Sequence, residues 1–227
     1  GQSDSLTSSL GAMTWDSENS WYDISTSKST VGDYLFQTNS GSESTYGITS
    51  FAPPTEDKTG IWDQIHATNT DSPDARVDTN DDAYIDFTLK YDYDETAVID
   101  GSVSIQGSTA QHQSSGTWRT TDSDYRVIQK TYDTFTASGN SHGITSVNPN
   151  VTPVSVIWDQ INIIYEELDD PRVNINDNIE YRVKAVLEYD ETPLGTGDQL
   201  SANTGSMTWD PENNWFESTH TESSVED

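Results

Sequence analysis

Residues 13–23 read MTWDSENSWYD and residues 207–217 read MTWDPENNWFE. This likeness is one phase of a longer internal repeat, which limits the fold more than any compositional figure does. GITSFAPPTEDKTGIWDQI at 47–65 matches GITSVNPNVTPVSVIWDQI at 143–161 at an offset of 96. The same register places RVDTNDDAYIDFTLKYDYDET at 76–96 on RVNINDNIEYRVKAVLEYDET at 172–192, and the 50 positions from 47 to 96 share 19 identities. Trp15 and Trp209 lie 194 residues apart, as do Trp21 and Trp215, which makes two periods of 97. Residues 1–33 align on 195–227 without a gap and with 14 identities. The middle copy of this phase is degenerate: it keeps Trp118 in GTW but has QHQ around His112, where the flanking copies have MTW.

Within one period, apolar residues alternate. Ile85, Phe87, Leu89, Tyr91 and Tyr93 share one face of the 84–93 segment, with Asp86, Thr88, Lys90 and Asp92 on the other. Ile179, Tyr181, Val183, Ala185, Leu187 and Tyr189 repeat this, with Val186 the one apolar residue facing outward. Period-2 alternation predicts half-buried antiparallel strands. Further strands are expected at Ile61–Ala67, Ile157–Ile163, Ser102–Gln106, Tyr34–Gln37 and Tyr125–Tyr132, separated by Asp, Asn, Ser, Pro and Gly clusters. No segment shows the period of an amphipathic helix. The fold class expected is all-β: tandem immunoglobulin-like antiparallel β-sandwiches, seven strands in each.

The repeat also predicts boundaries. Residues 1–42 correspond to the end of a preceding unit, a hairpin and strand that form a candidate donor segment. Residues 43–138 form a first module, and 139–227 a second that lacks its last strand. A module without that strand has an open sheet edge and an uncovered apolar groove. Two arrangements would relieve it: a longer tandem array, or head-to-tail self-association in which one molecule's N-terminal strands complete its neighbour.

With 39 acidic residues against 10 basic ones, the formal net charge is -29. Such a surface repels nucleic acid and anionic membranes, and its Asp-rich character points to a salty or calcium-containing exterior. The absence of cysteine excludes a disulfide framework and thiolate metal sites. No apolar run approaches the roughly 20 residues of a transmembrane segment. Residues 1–12 carry no signal pattern, so targeting parts of an exported protein are expected outside this sequence. NVT at Asn150 is a glycosylation sequon.

Candidate chemistry is sparse. Asp78, Asn80 and Asp82, in register with Asn174, Asn176 and Asn178, place oxygen side chains at alternate positions, as at the start of a Ca²⁺ loop. Both lack the sixth-position Gly and terminal Glu of an EF-hand, so the competing reading is a polar turn. YDYDET and EYDET add carboxylates nearby. His66, His112, His142 and His220 form no metal-spaced cluster, and no GxSxG, HExxH or phosphate loop occurs. An enzyme is not expected, and no cofactor beyond Ca²⁺ is implied. Trp15, Trp21, Trp118, Trp209 and Trp215 are expected to anchor hairpins at junctions, and Trp62 and Trp158 the core or flank of each repeat. The competing role for the aromatic residues is a platform for surface glycans.

IWD or VWD, then RV before a polar turn, then a strand ending in YDYDET or EYDET, then MTWDxENxW: this order resembles the repeated immunoglobulin-like modules of large archaeal cell-surface and S-layer-associated proteins. The resemblance implies an extracellular or cell-surface location and a structural or adhesive role in a filament, stalk, pilus or S-layer, and brings no catalytic residues with it.

Overall fold

The computed structural model describes residues 4–148 and 151–223, so the sequon at Asn150 lies outside the described residues. From the N-terminus the strands are β1 (Ser5–Ser8), β2 (Gly11–Ala12), β3 (Thr14–Asp16), β4 (Trp21–Asp23), β5 (Gly32–Phe36), β6 (Thr38–Ser42), β7 (Lys58–Trp62) and β8 (Ile65–Asp71). Next come β9 (Arg76–Asp78), β10 (Ala83–Tyr91), β11 (Ser102–Ile105), β12 (Ser108–Thr109), β13 (Gln111–Ser114), β14 (Thr117–Asp122), β15 (Ile128–Tyr132) and β16 (Phe135–Ser138). The last are β17 (Val154–Asp159), β18 (Ile161–Leu168), β19 (Asn178–Leu187), β20 (Ser201–Ala202), β21 (Gly205–Ser206), β22 (Thr208–Asp210) and β23 (Trp215–Thr221). Every described regular element is a strand, and the strands form several small sheets. The chain makes two compact units: residues 1–70, 86–120 and 133–152, and residues 71–85, 121–132 and 153–227.

In the first unit the largest sheet has the order β13-β14-β10-β8, and a second runs β12-β11-β16. The alternation read along β10 is realised: Ile85, Phe87, Leu89 and Tyr91 are buried, whereas Tyr93 lies beyond the strand and is exposed. Val103 and Ile105 of β11, with Phe135 and Ala137 of β16, are buried too. Phe87 meets Phe135 edge to face, with ring centroids 4.8 Å apart. Fully burying a side chain of this size stabilises the fold by about 1.5–3 kcal/mol. The same unit holds the small sheet β2-β1-β6 and the pairs β3-β4 and β5-β7.

In the second unit a four-stranded sheet runs β18-β19-β23-β22, beside the short hairpin β20-β21. Its core gathers Val183, Ala185, Leu194 and Phe216, with Leu200, Met207 and Trp209 packed against them. Val186 points away from this cluster yet is buried, because the turn after β19 folds back and bridges it to Pro193. A third sheet has the order β15-β17-β9. Here the expectation of antiparallel strands alone fails, since β9 runs parallel to β17, with Val77 opposite Trp158.

The IWDQI motif also departs from the single strand expected at Ile61–Ala67 and Ile157–Ile163. Each copy is broken at its Asp-Gln pair: β7 ends at Trp62 and β8 begins at Ile65, while β17 ends at Asp159 and β18 begins at Ile161. The two halves enter different sheets. The physical cause is the Asp side chain, whose acceptor oxygen replaces a ladder partner at the corner.

Candidate functional site: repeated carboxylate clamps and an open apolar groove

The corner has the same construction in both copies. Asp63 Oδ1 accepts the Gln64 N–H at 2.8 Å and the Tyr93 N–H at 3.0 Å. Asp159 Oδ1 accepts the Gln160 N–H at 2.8 Å and the Tyr189 N–H at 3.0 Å. The Gln64 side chain donates to Asp92 and that of Gln160 to Glu188. WDQ and YDET therefore recur together because each holds the other. In the YDET turn Glu95 and Glu191 adopt left-handed φ values of 61° and 57°. Asp94 and Asp190 accept the N–H of Thr96 and Thr192. The Arg76 guanidinium, 2.6 Å away, and then Thr192 pull the Asp190 carboxyl down to about 2. These carboxylates, read from sequence as additional cation ligands, are occupied in holding turns.

The MTWDxEN hairpin is a third carboxylate device. Asp16 accepts the side-chain amide of Asn19 at 2.7 Å and the Glu18 N–H at 2.8 Å. Asp210 does the same with Asn213 and Glu212. Hydrogen bonds from Asn19 and Asn213 hold both carboxyls below the ordinary range. Ser20 and Asn214 supply the left-handed residue that closes each turn.

The seven tryptophans occupy different environments. Trp15 and Trp209 are half-buried against Tyr22 and Phe216. Trp21 is 58% exposed, whereas Trp215 is half-buried under the guanidinium of Arg182 at 4.9 Å. Trp118 is buried at 3% and donates its indole N–H to the Val98 carbonyl. It pairs with His112, as Tyr22 pairs with Trp15 and Phe216 with Trp209. The middle hairpin is one residue shorter, so Trp118 takes the inward place of Tyr22 and Phe216 rather than the outward place of Trp21. Trp62 is half-buried, stacked on Phe36 at 5.8 Å. Trp158 is fully buried, donates to the Asp81 carbonyl and lies under Lys130 at 4.8 Å.

The candidate cation loops are turns. Asp78, Asn80 and Asp82 are exposed, as are Asn174, Asn176 and Asn178. Asn80 and Asn176 take left-handed φ values of 72° and 70°. The Asp81 N–H reaches the Asp78 carbonyl, and the Asp177 N–H the Asn174 carbonyl. Among the described residues no group of three His, Cys, Asp or Glu side chains is placed to hold a metal ion. A dense titratable cluster joins Lys130 with Asp122 at 3.0 Å and Asp124 at 3.1 Å, where Tyr132 donates to Asp122 at 2.6 Å. Burial, then the Asp122 carboxylate, pushes the Tyr132 phenol well up, so the group stays neutral. Together they form a charge-paired anchor beside Trp158, with no group left as nucleophile or base.

A groove of about 470 Å³ opens beside the second unit's core, lined by Ile163, Leu168, Ile179, Tyr181, Leu200 and Met207 among others. The first unit shows what covers the same place. There β16 pairs with β11, and the segment after it reaches Ile65, whose N–H and C=O bond to Ser146 and Asn148. Ile65 is 0% exposed, whereas Ile161, its equivalent one repeat later, is 48% exposed. Strand β20, the counterpart of β11, pairs only with β21 among the described residues. The uncovered groove was anticipated from the repeat. The corner aspartates and the Lys130 trio were not, although WDQ and YDET recurring at one spacing was a signal for the first.

No protein-family model matches the chain, and no curated protein matches it. Among solved structures it is similar to the Yersinia pseudotuberculosis adhesin InvE, at 14% identity and a TM-score of 0.28, over 71% of this chain and 51% of that one. The chain thus spans about half the length of that structure. No described helix is long and apolar enough to cross a membrane.

Proposed function

We propose that this chain is a non-catalytic module of an extracellular structure, a repeating segment of a filament, stalk or S-layer that joins its neighbours head to tail by strand complementation. The observation that carries this reading is the open groove of the second unit, set against its covered counterpart in the first. The carboxylates support it too, because those recurring with the repeat hold corners, turns and hairpins rather than converging on a reaction centre. The strongly acidic surface suits a saline exterior. Antibody labelling of intact source cells tests the location. Labelling at the surface or on appendages is the expected outcome, and labelling only after the cells are opened would refute it.

A second reading, an adhesive or glycan-binding surface module, is favoured by the exposed aromatic rings of Trp21, Tyr46 and Tyr125. A glycan array probed with the protein and with Trp21→Ala separates the two. Binding lost in the variant supports adhesion, and no binding by either leaves the structural reading.

A further inference from the structure

From the groove and its covered counterpart we infer that the occupant is the β6 segment of a second copy of this chain, which leaves its own β1 to pair with β20. This deepens the structural reading above and rests on it. The groove's shape is known from the first unit, where the occupant is a strand pairing with β11 through Val103↔Ala137 and Ser104↔Thr136. The N-terminal counterpart of that pair is β1 with β6, in which Leu6 faces Gly41 and Thr7 faces Ser40. Because residues 1–33 align without a gap on 195–227, Thr7 falls on Ser201 and Leu6 on Leu200. A strand able to pair with β1 is therefore able to pair with β20 in the same register.

The donor is suited to leave. Side-chain hydrogen bonds hold β6 to β1 at Ser5–Ser42 and Thr7–Ser40, both surface contacts, and the second is one that Ser201 of β20 can replace in kind. The segment following β6 repeats the GITS sequence that follows β16, yet its Tyr46 and Ile48 are exposed. On the acceptor, Ile161, Ile163 and Leu168 are exposed along β18. Docking would bury both sets, while β6 exchanges its backbone partners on β1 for equivalent ones on β20, so the apolar burial is the net gain. Because donor and acceptor are different segments of the chain, the contact is heterologous and propagates.

The test uses the absence of native cysteine. Full-length Ser40→Cys and full-length Ser201→Cys are refolded together and oxidised, then resolved on a non-reducing gel. The expected result is a mixed dimer of two 25.1 kDa chains, in clear excess over what either variant forms alone. Moving the donor thiol one position, to Asn39→Cys, removes that excess because Asn39 sits in the bulge of β6 with no partner. Adding Ile163→Asp to the Ser201→Cys chain lowers the yield by about tenfold or more, since a carboxylate would be buried unpaired. Ile163 is exposed in the single chain, so folding is preserved and circular dichroism verifies it. In a separate arm, Ser5→Cys with Ser42→Cys locks β1 to β6, and light scattering should find only monomers. A mixed dimer no more abundant than with Asn39→Cys, or one indifferent to Ile163→Asp, overturns the assignment of donor and register. Oligomers that persist in the locked variant overturn the strand exchange. None of these outcomes alters surface labelling, so failure here is distinguishable from failure of the structural reading.

Discussion

Replacing Asp159 with alanine removes the clamp at the second corner, and the structure sets what that should cost. The Asp159 side chain is 3% exposed, and one oxygen accepts two backbone N–H groups, from Gln160 and Tyr189. A hydrogen bond to a charged group contributes about 1.5–3 kcal/mol, so losing two gives about 3–6 kcal/mol. Arg76, 3.5 Å from the other oxygen, keeps Asp190 and adds little to the loss. Asp159→Asn retains the accepting oxygen and both N–H contacts but gives up charge assistance and turns its amide NH2 toward Arg76, and should cost about 1–2 kcal/mol. Urea unfolding followed by tryptophan fluorescence is the assay, because buried Trp158 adjoins the corner. Two compact units call for a fit with two transitions rather than one. Only one transition should move: far in the alanine variant, slightly in the asparagine variant. Asp63→Ala should move the other, and by less, because Asp63 is half-buried. If Asp159→Ala lies within about 1 kcal/mol of the parent, or if Asp159→Asn is equally damaging, the clamp argument is wrong.

Trp118→Ala should cost about 3–5 kcal/mol in chemical denaturation, while Trp21→Ala should stay within about 0.5 kcal/mol of the parent despite sharing its phase of the repeat. Asn80→Ala should destabilise by about 1 kcal/mol and Asn80→Gly by much less, because the residue sits at a φ of 72°. Thermal melts compare the two. Asp190 is lowered from its ordinary value of 3.8 to about 2, so its contribution is full above 3.8 and is lost as the pH falls toward 2. Arg76→Ala should return the Asp190 titration, followed by carboxyl NMR, toward its ordinary value and flatten that part of the acid transition. An unchanged titration would mean that Arg76 is not the cause.

The sequence carried most of what depends on periodicity. Alternation along β10 and β19 placed Phe87, Leu89, Val183 and Ala185 inward, and the repeat located the uncovered face beside β20. Features decided by a single side chain's hydrogen bonds were hidden. A run of apolar residues on either side of Asp63 reads as one strand, because the periodicity gives no sign that its carboxylate will take the backbone N–H groups of Gln64 and of Tyr93 in a distant turn. The one-residue shortening between His112 and Trp118 exchanged an outward tryptophan for an inward one, since in a strand a shift of one reverses the face. The parallel pairing of β9 with β17 joins residues about 80 apart, beyond the reach of local patterning.

One further consequence concerns how the molecule is made. Strand β6 has counterparts of its partner later in the same chain, β11 and β20, so several segments compete for it whenever they are unfolded. On the ribosome β1 emerges first and takes β6 unopposed. In denaturant they compete together, with loops of 33 residues for β1 (40 minus 7), 64 for β11 (104 minus 40) and 161 for β20 (201 minus 40) to close. Loop entropy then favours β1 over β20 by only about 1.4 kcal/mol, roughly a factor of ten, and over β11 by less still. Freshly translated protein and protein recovered from inclusion bodies are therefore different starting materials, and in a refolded batch β6 should be found on β20 about a tenth as often as on β1.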